Sequence, residues 1–354
     1  MKKSLLALAV LGAFAGAASA QSSVTIYGSL DLGITKSNGG TAGNSGGAAG
    51  NGAQAKAWTV QQANGSRLGF RGNEDLGGGL SAQFQIEHRF SPDTGVASSP
   101  QFWQGRSYLQ LSSATAGRVY LGRDYTPAFW PAVKSDPFGW DGVGQLGLAQ
   151  WAGFGTPNFN LAGQNVRSSN TVGYKSPSLG GLTVQVAVAL GEAVVGRDTG
   201  LNLEYGAGPI YAAFGYEKVS KSGVSSVADS AAPITGNSKD GDSLWNLAFH
   251  YDFGVAKPMF YYAKNKVAST GQSNKFWSLG VLAPIGGGTL KAAYYRLDIA
   301  TANLTIDGQD TRKFGIGYDY PLSKRTNVYA DLGLTRKDLA TSNTTYSFGV
   351  KHTF

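Results

Sequence analysis

Large apolar side chains alternate with small or polar ones along most of this chain, and the pattern is cleanest at its end. Tyr346, Phe348, Val350 and Phe354 share one parity, while Ser347, Gly349, Lys351 and Thr353 take the other. A period of two predicts a strand whose faces meet different surroundings. Soluble folds commonly leave their termini loose. An apolar-out, polar-in last strand with an aromatic end instead fits the closing seam of an outer-membrane β-barrel.

The same unit repeats from Ser22 onward: a strand of about ten residues, a connection, another strand. One set of connections is short and mostly glycine-rich: Asp75–Gly78, Thr115–Gly117, Leu179–Gly181, Gly206–Gly208, Phe253–Gly254, Ile285–Gly287 and Leu322–Arg325. The other set is longer and polar, as in Lys36–Trp58, Pro92–Gln104, Ser220–Gly241 and Thr301–Asp310. Seven short turns interleaved with eight long loops predict sixteen antiparallel strands. Within them, Trp245, Leu247, Phe249 and Tyr251 oppose Asn246, Ala248, His250 and Asp252. Likewise Val328, Ala330, Leu332 and Leu334 oppose Tyr329, Asp331 and Gly333.

A soluble β-sandwich would share this period. Aromatic placement favours the membrane: Tyr251, Phe253, Tyr318, Tyr320 and Phe354 fall on the apolar parity near the short-turn end, where a girdle meets lipid headgroups. The expected fold is therefore all-β, a 16-stranded antiparallel transmembrane barrel. Closure removes unpaired edges that lipid could not satisfy.

The start of the chain gives a matching address. Met1-Lys2-Lys3, an apolar stretch to Ala17, and Ala18-Ser19-Ala20 read as a secretory signal peptide over residues 1–20, leaving a barrel over 21–354. Beyond it no run of about 18 apolar residues could form a membrane helix. Cysteine is absent, which excludes disulfides, thiolate metal sites and a Cys nucleophile. The formal charge is +8, and +6 once Lys2 and Lys3 leave with the signal. Basic residues are dispersed rather than striped, so nucleic acid is not an expected partner. The Gly39–Gly52 stretch precedes no helix and reads as a flexible first loop, not a phosphate cradle.

Several stretches resemble the general porins of β-proteobacteria. They are Ser23-Val24-Thr25-Ile26-Tyr27-Gly28, the run from Ser66-Arg67-Leu68-Gly69-Phe70-Arg71-Gly72 through Asn73-Glu74-Asp75 to Leu80, and Val119-Tyr120-Leu121-Gly122-Arg123-Asp124. Tyr251-Asp252-Phe253-Gly254-Val255-Ala256-Lys257 and Tyr320-Pro321-Leu322-Ser323-Lys324-Arg325-Thr326 continue the likeness, which runs from the signal peptide to Phe354. The resemblance implies a homotrimer in the outer membrane of a Gram-negative bacterium, among lipid and lipopolysaccharide. It also implies a third loop folded into the lumen, and passive diffusion of small hydrophilic solutes and inorganic ions, with no cofactor and no reaction.

The connection between Asp124 and Ser168 suits that third loop. A long stretch without alternation is usually functional or disordered. Its Phe129, Trp130, Phe138, Trp140, Trp151, Phe154 and Phe159 argue for burial. An arginine facing lipid at mid-bilayer would cost about 2–4 kcal/mol, so Arg67, Arg71, Arg89 and Arg118 should point into the lumen. Arg123 takes the lipid parity by counting, so either a bulge re-aims it or it lies near the rim. In porins of this kind wall arginines face third-loop carboxylates or carbonyls; the matching wall residues by position are Arg67, Arg106 and Arg167. With Arg71, Asp124 and the loop acids Asp136 and Asp141 they make up the expected pore constriction. Cations in excess of acids lower the energy of an anion in the throat, giving weak to moderate anion selectivity. Against this, the arginines could simply pair with Glu87, Asp31 or Asp124.

Two other functions compete. A membrane hydrolase would need a base beside a nucleophile or water, and of His88, His250 and His352 only His250 faces the lumen beside an acid, Asp252. A substrate-specific diffusion porin would bind sugar, phosphate or an organic anion in its lumen. Tyr27, Tyr120 and Tyr329 share the lumen parity and would form part of a stacking track or simply fill the wall.

Overall fold

The computed structural model describes residues 23–42, 56–145, 166–190, 197–220, 241–266, 268, 271, 273–299 and 310–354. The expected signal peptide, most of the Gly39–Gly52 stretch, much of the loops at 220–241 and 301–310, and Trp151, Phe154 and Phe159 lie outside the described residues.

Sixteen strands form one ring. In chain order they are β1 Ser23–Ser37, β2 Arg67–Gly77, β3 Leu80–Ser91, β4 Ser107–Ser113, β5 Gly117–Tyr125, β6 Arg167–Lys175, β7 Leu182–Ala189 and β8 Arg197–Ala207. There follow β9 Ile210–Ser220, β10 Ser243–Tyr251, β11 Lys257–Lys266, β12 Asn274–Ile285, β13 Gly288–Ile299, β14 Thr311–Pro321, β15 Thr326–Lys337 and β16 Asn343–Thr353. Each pairs antiparallel with the next, and β16 returns to β1 from Ser29↔Thr353 to Ser37↔Thr345. The other half of β1, Ser23–Ser29, pairs with β2 from Asn73 to Arg67. Two short strands, Thr59–Gln61 against β1 and Val96–Ala97 against β3, sit outside the ring count.

The wall shows the two faces that the alternation requires. In β10, Leu247 and Phe249 are exposed, whereas Asn246, Ala248 and His250 are buried. The apolar face points outward, as lipid demands. At the short-turn end Phe253, Tyr320 and Phe354 are exposed, Tyr251 and Phe253 pack with ring centroids 4.5 Å apart, and the Tyr318 hydroxyl donates to the Ile285 carbonyl at 2.7 Å. The tight turns use left-handed glycines, for instance Gly77 and Gly78 at φ 79° and 60°.

At the seam the Gly28 N–H donates to the Phe354 carbonyl at 3.0 Å, and the Phe354 N–H donates to the Gly28 carbonyl at 3.1 Å. The Phe354 ring lies 2.6 Å from where a Gly28 Cβ would be, so only glycine admits it there. Between Thr59–Gln61 and β2 the chain turns inward over residues 62–66. Asp31 fixes this excursion, accepting from the Ala63 N–H (2.8 Å), the Asn64 amide (2.7 Å) and the Tyr329 hydroxyl (2.8 Å).

The main apolar cluster lies inside the ring. After β5 the chain forms helix α1, Phe129–Lys134, and a turn-rich strap to Gln145. Ala128, Phe129, Ala132 and Phe138 from this segment pack with Ala213, Ala248, Tyr261, Phe276 and Tyr295 of the barrel wall. The Asn246 amide donates to the Ala128 carbonyl at 2.8 Å, and His250 Nε2 and Ser135 Oγ are 2.9 Å apart. Tyr295 donates to Asp136 at 2.8 Å. At the far end the Gly142 N–H donates to the Ala63 carbonyl (2.9 Å) and the Gly65 N–H to Asp141 (3.2 Å). The third connection thus crosses the inner wall and docks on the 62–66 excursion. Its Phe129 and Phe138 are buried there, while Trp130 and Trp140 are partly buried.

Candidate functional site

Where the strap leaves the wall, β2 to β6 present a cluster of arginines. Tyr125, the last residue of β5, is its centre. The Arg167 guanidinium lies 4.4 Å from the Tyr125 ring centroid, and its Nη2 donates to the hydroxyl at 2.8 Å. Arg89 donates to the same hydroxyl at 3.2 Å and to Glu87 at 2.7 Å. Arg67 approaches the other Glu87 oxygen at 3.9 Å. Arg106 forks onto Asp124 with bonds of 2.6 and 2.8 Å, a bidentate geometry suited to guanidinium and carboxylate. Its Nη1 donates to Gln85 at 3.0 Å.

Register explains the assembly. Arg67 faces Arg89 across β2 and β3, and Tyr125 faces Arg167 across β5 and β6. Like charges directly opposite repel, so the Arg67–Arg89 pair depends on Glu87, which also accepts the Tyr27 hydroxyl at 3.1 Å. Arg71 lies further along β2, 5.4 Å from the Tyr27 ring centroid, and makes no ion pair among the described residues.

Of the expected constriction residues, Arg67, Arg106, Arg167 and Asp124 come together at the root of the strap. Asp141 lies at its far end on Gly65. Asp136 is buried and accepts from the Phe138 and Trp140 N–H groups (3.0 and 3.1 Å) as well as from Tyr295, so it pins the strap to the wall. Arg123 keeps its outward parity at the rim, donating to the Gln104 carbonyl (2.9 Å) and the Ser169 hydroxyl (2.8 Å). The register does shift there, between Gly122 and Asp124, with Asn170 opposite at φ 55°.

The cluster also takes in residues that the sequence does not single out. Parity turns Arg89 inward without bringing it to the throat, and Tyr125 carries no signal beyond its position before the strap. Lys134, in the last turn of α1, forms bonds of 2.8 and 2.9 Å with Glu204, and Lys175 approaches the same carboxylate at 3.8 Å. No local pattern pairs these residues, because β8 and α1 meet only when the strap folds inward.

In the arginine cluster and its acids, Arg67, Arg71, Arg89, Arg106 and Arg167 stand against Glu87, Asp124 and Asp141, five cations to three acids. Elsewhere on the strap Lys134 shares Glu204 with Lys175, and Asp136 is buried. The arginine–carboxylate pairing considered from the sequence does occur at Arg67, Arg89 and Arg106, yet the acids run out first. A fixed surplus of one sign raises the local concentration of mobile ions of the opposite sign.

The competing chemistries do not assemble at the residues that suggested them. His250 contacts Ser135 of the strap, while Asp252 accepts the Gly254 N–H at 2.8 Å. His88 stacks on Phe102 with centroids 4.3 Å apart, and His352 contacts Thr326. Tyr120 and Tyr329 are buried, with their rings over Gly173 and Gly349, so they fill the wall instead of forming a track.

Comparisons with known proteins agree. Residues 7–340 match the family model for Gram-negative porin. Outer membrane porin protein 32 of Delftia acidovorans is 34% identical, covering 96% of this chain and 92% of its own. An outer membrane porin protein of Bordetella pertussis is 31% identical over the whole of both chains. Among solved structures, an anion-selective porin from Comamonas acidovorans superposes with a TM-score of 0.73 at 26% identity, covering 94% of this chain and all of its own.

Proposed function

The chain belongs to the Gram-negative porin family, and from that premise we propose that it is a weakly to moderately anion-selective diffusion channel of the outer membrane. The family is one of channels rather than enzymes, and small hydrophilic solutes and ions cross by passive diffusion. One observation carries the selectivity: five arginines against three carboxylates around the strap. The described anion selectivity of the Comamonas porin supports the same sign.

The working unit is a homotrimer embedded in outer-membrane lipid and lipopolysaccharide. Strand lengths support this. β4 to β7 have 7, 9, 9 and 8 residues, whereas β12 to β16 have 11 or 12. A tilted strand needs about 9–11 residues to cross the hydrocarbon core. The low wall, with Leu109, Leu111, Val119 and Leu121 exposed, suits contact with a neighbouring subunit better than contact with lipid.

Reconstitution in a planar bilayer under a potassium chloride gradient tests the reading. Stepwise current with a zero-current potential displaced toward the chloride equilibrium value is expected. Steps with potassium preference would overturn the selectivity, and a chain that gives no steps would overturn the channel.

A further inference from the structure

Beside the strap a recess of about 160 Å³ opens along β4 to β6. Four cations line it, Arg106, Arg118, Lys134 and Lys175, together with the rings of Tyr108 and Trp130. Its charges are unevenly satisfied. Arg106 is held by Asp124, and a single carboxylate, Glu204, serves both Lys134 and Lys175. Arg118 makes no ion pair among the described residues, although it sits directly opposite Lys175 in the β5–β6 register. Like charges placed directly opposite destabilise a sheet, so this pair lowers its energy when an anion sits between its two head groups.

The shape of the recess says more than its charge. In the β4–β5 register Ser107 faces Arg123 and Ser112 faces Arg118, so Arg106 and Arg118 lie at opposite ends of the short strand β4. Tyr108 lies along that span. Arg106 stands 4.8 Å from its ring centroid and 5.9 Å from that of Trp130, and Lys134 stands 5.9 Å from Trp130 on the strap side. Both rings are only partly buried. A compact inorganic anion would satisfy the Arg118–Lys175 pair and leave the rings unused. A flat ring bearing a carboxylate would satisfy both parts, with the carboxylate on the cation pair and the ring against Trp130 and Tyr108.

We propose that this recess is a binding step for planar aromatic carboxylates on their way through the pore. The proposal rests on the reading of the lumen as an anion path and names a solute class for it.

The test uses the full-length protein in planar bilayers, with benzoate and cyclohexanecarboxylate as probes of equal charge and similar size. Benzoate should reduce the chloride current at a concentration about two- to tenfold lower than cyclohexanecarboxylate, the range that aromatic pairing supports. Trp130→Leu should bring the two acids together, and Arg118→Gln should weaken both. Equal potency of the two acids on the unaltered channel, or a difference that survives Trp130→Leu, overturns the proposal. If that occurs in a channel that still prefers chloride, the solute class alone falls. A channel that prefers potassium would overturn the anion path on which the proposal rests.

Discussion

Arg106 and Asp124 are joined by two parallel hydrogen bonds of 2.6 and 2.8 Å at the root of the strap, one residue ahead of β4 and one short of the end of β5. The pair is electrically neutral as a unit. It holds the point where the chain leaves the wall, so it bears on assembly as well as on charge.

Replacing one partner should therefore differ from replacing both. Arg106→Gln leaves Asp124 largely buried without its cation, and breaking such a pair costs about 3–5 kcal/mol. We expect a clearly lower melting temperature by circular dichroism and a reduced preference for chloride. The double variant Arg106→Gln, Asp124→Asn should recover most of the stability. It keeps the net charge of the throat, so its zero-current potential should return close to that of the unaltered protein.

The seam gives a second prediction. Tyr329 of β15 reaches across β16 to Asp31 of β1, its ring lying where a Cβ on Gly349 would collide with the hydroxyl. Tyr329→Phe removes one donor from a buried carboxylate that retains Ala63 and Asn64, a loss of about 1–3 kcal/mol. Gly349→Val should be worse, because it displaces the ring as well. Melting temperatures in detergent should fall in that order, and equal stability of the two variants would contradict the seam's reliance on the ring.

Asp136 tests the strap. Asp136→Ala removes the acceptor for two backbone N–H groups and for Tyr295, freeing the middle of the strap from β13. Single-channel recordings should become noisier, with a higher mean conductance. The sign of the selectivity should not change, since this carboxylate is buried behind the strap and not open to the pore. A change to cation preference, or an unaltered trace, would contradict that assignment.

Salt should weaken the selectivity in a graded way. The Debye length falls from about 10 Å at 0.1 M to about 3 Å at 1 M. The ratio of chloride to potassium permeability, measured at a fixed gradient and rising mean salt, should decline toward the ratio of the bulk mobilities. A ratio independent of salt would point to a steric filter in place of a fixed charge.

Much of the barrel was legible because lipid enforces the period of two. Leu247 and Phe249 had to face outward once Asn246 and His250 faced inward, and the glycine turns marked the short end. The cost of an arginine in lipid likewise placed Arg67, Arg71 and Arg89. What could not be read was how the interior is assembled. The strap runs where it does because Asp31 holds residues 62–66 inside the ring and because Asn246, His250 and Tyr295 offer partners along one wall. These contacts join residues far apart in the chain and leave no periodic trace. The role of Asp136 was hidden for the same reason: its partner Tyr295 lies eight strands on from β5, at β13. Tyr120 and Tyr329 had lumen parity, but that parity cannot tell a ring open to the pore from one laid over a neighbouring glycine.

The central claim is that the arginine surplus at the strap sets the sign of selectivity. It is tested most directly by zero-current potentials of the unaltered channel and of an Arg67→Gln, Arg71→Gln variant, in the same potassium chloride gradient. These two arginines are removed without taking either member of the Arg106–Asp124 pair. In the arginine cluster, five cations to three acids become three to three. We predict a potential on the chloride side for the unaltered protein and a marked fall toward zero for the variant. An unaltered potential in the variant, at normal conductance, would contradict the claim.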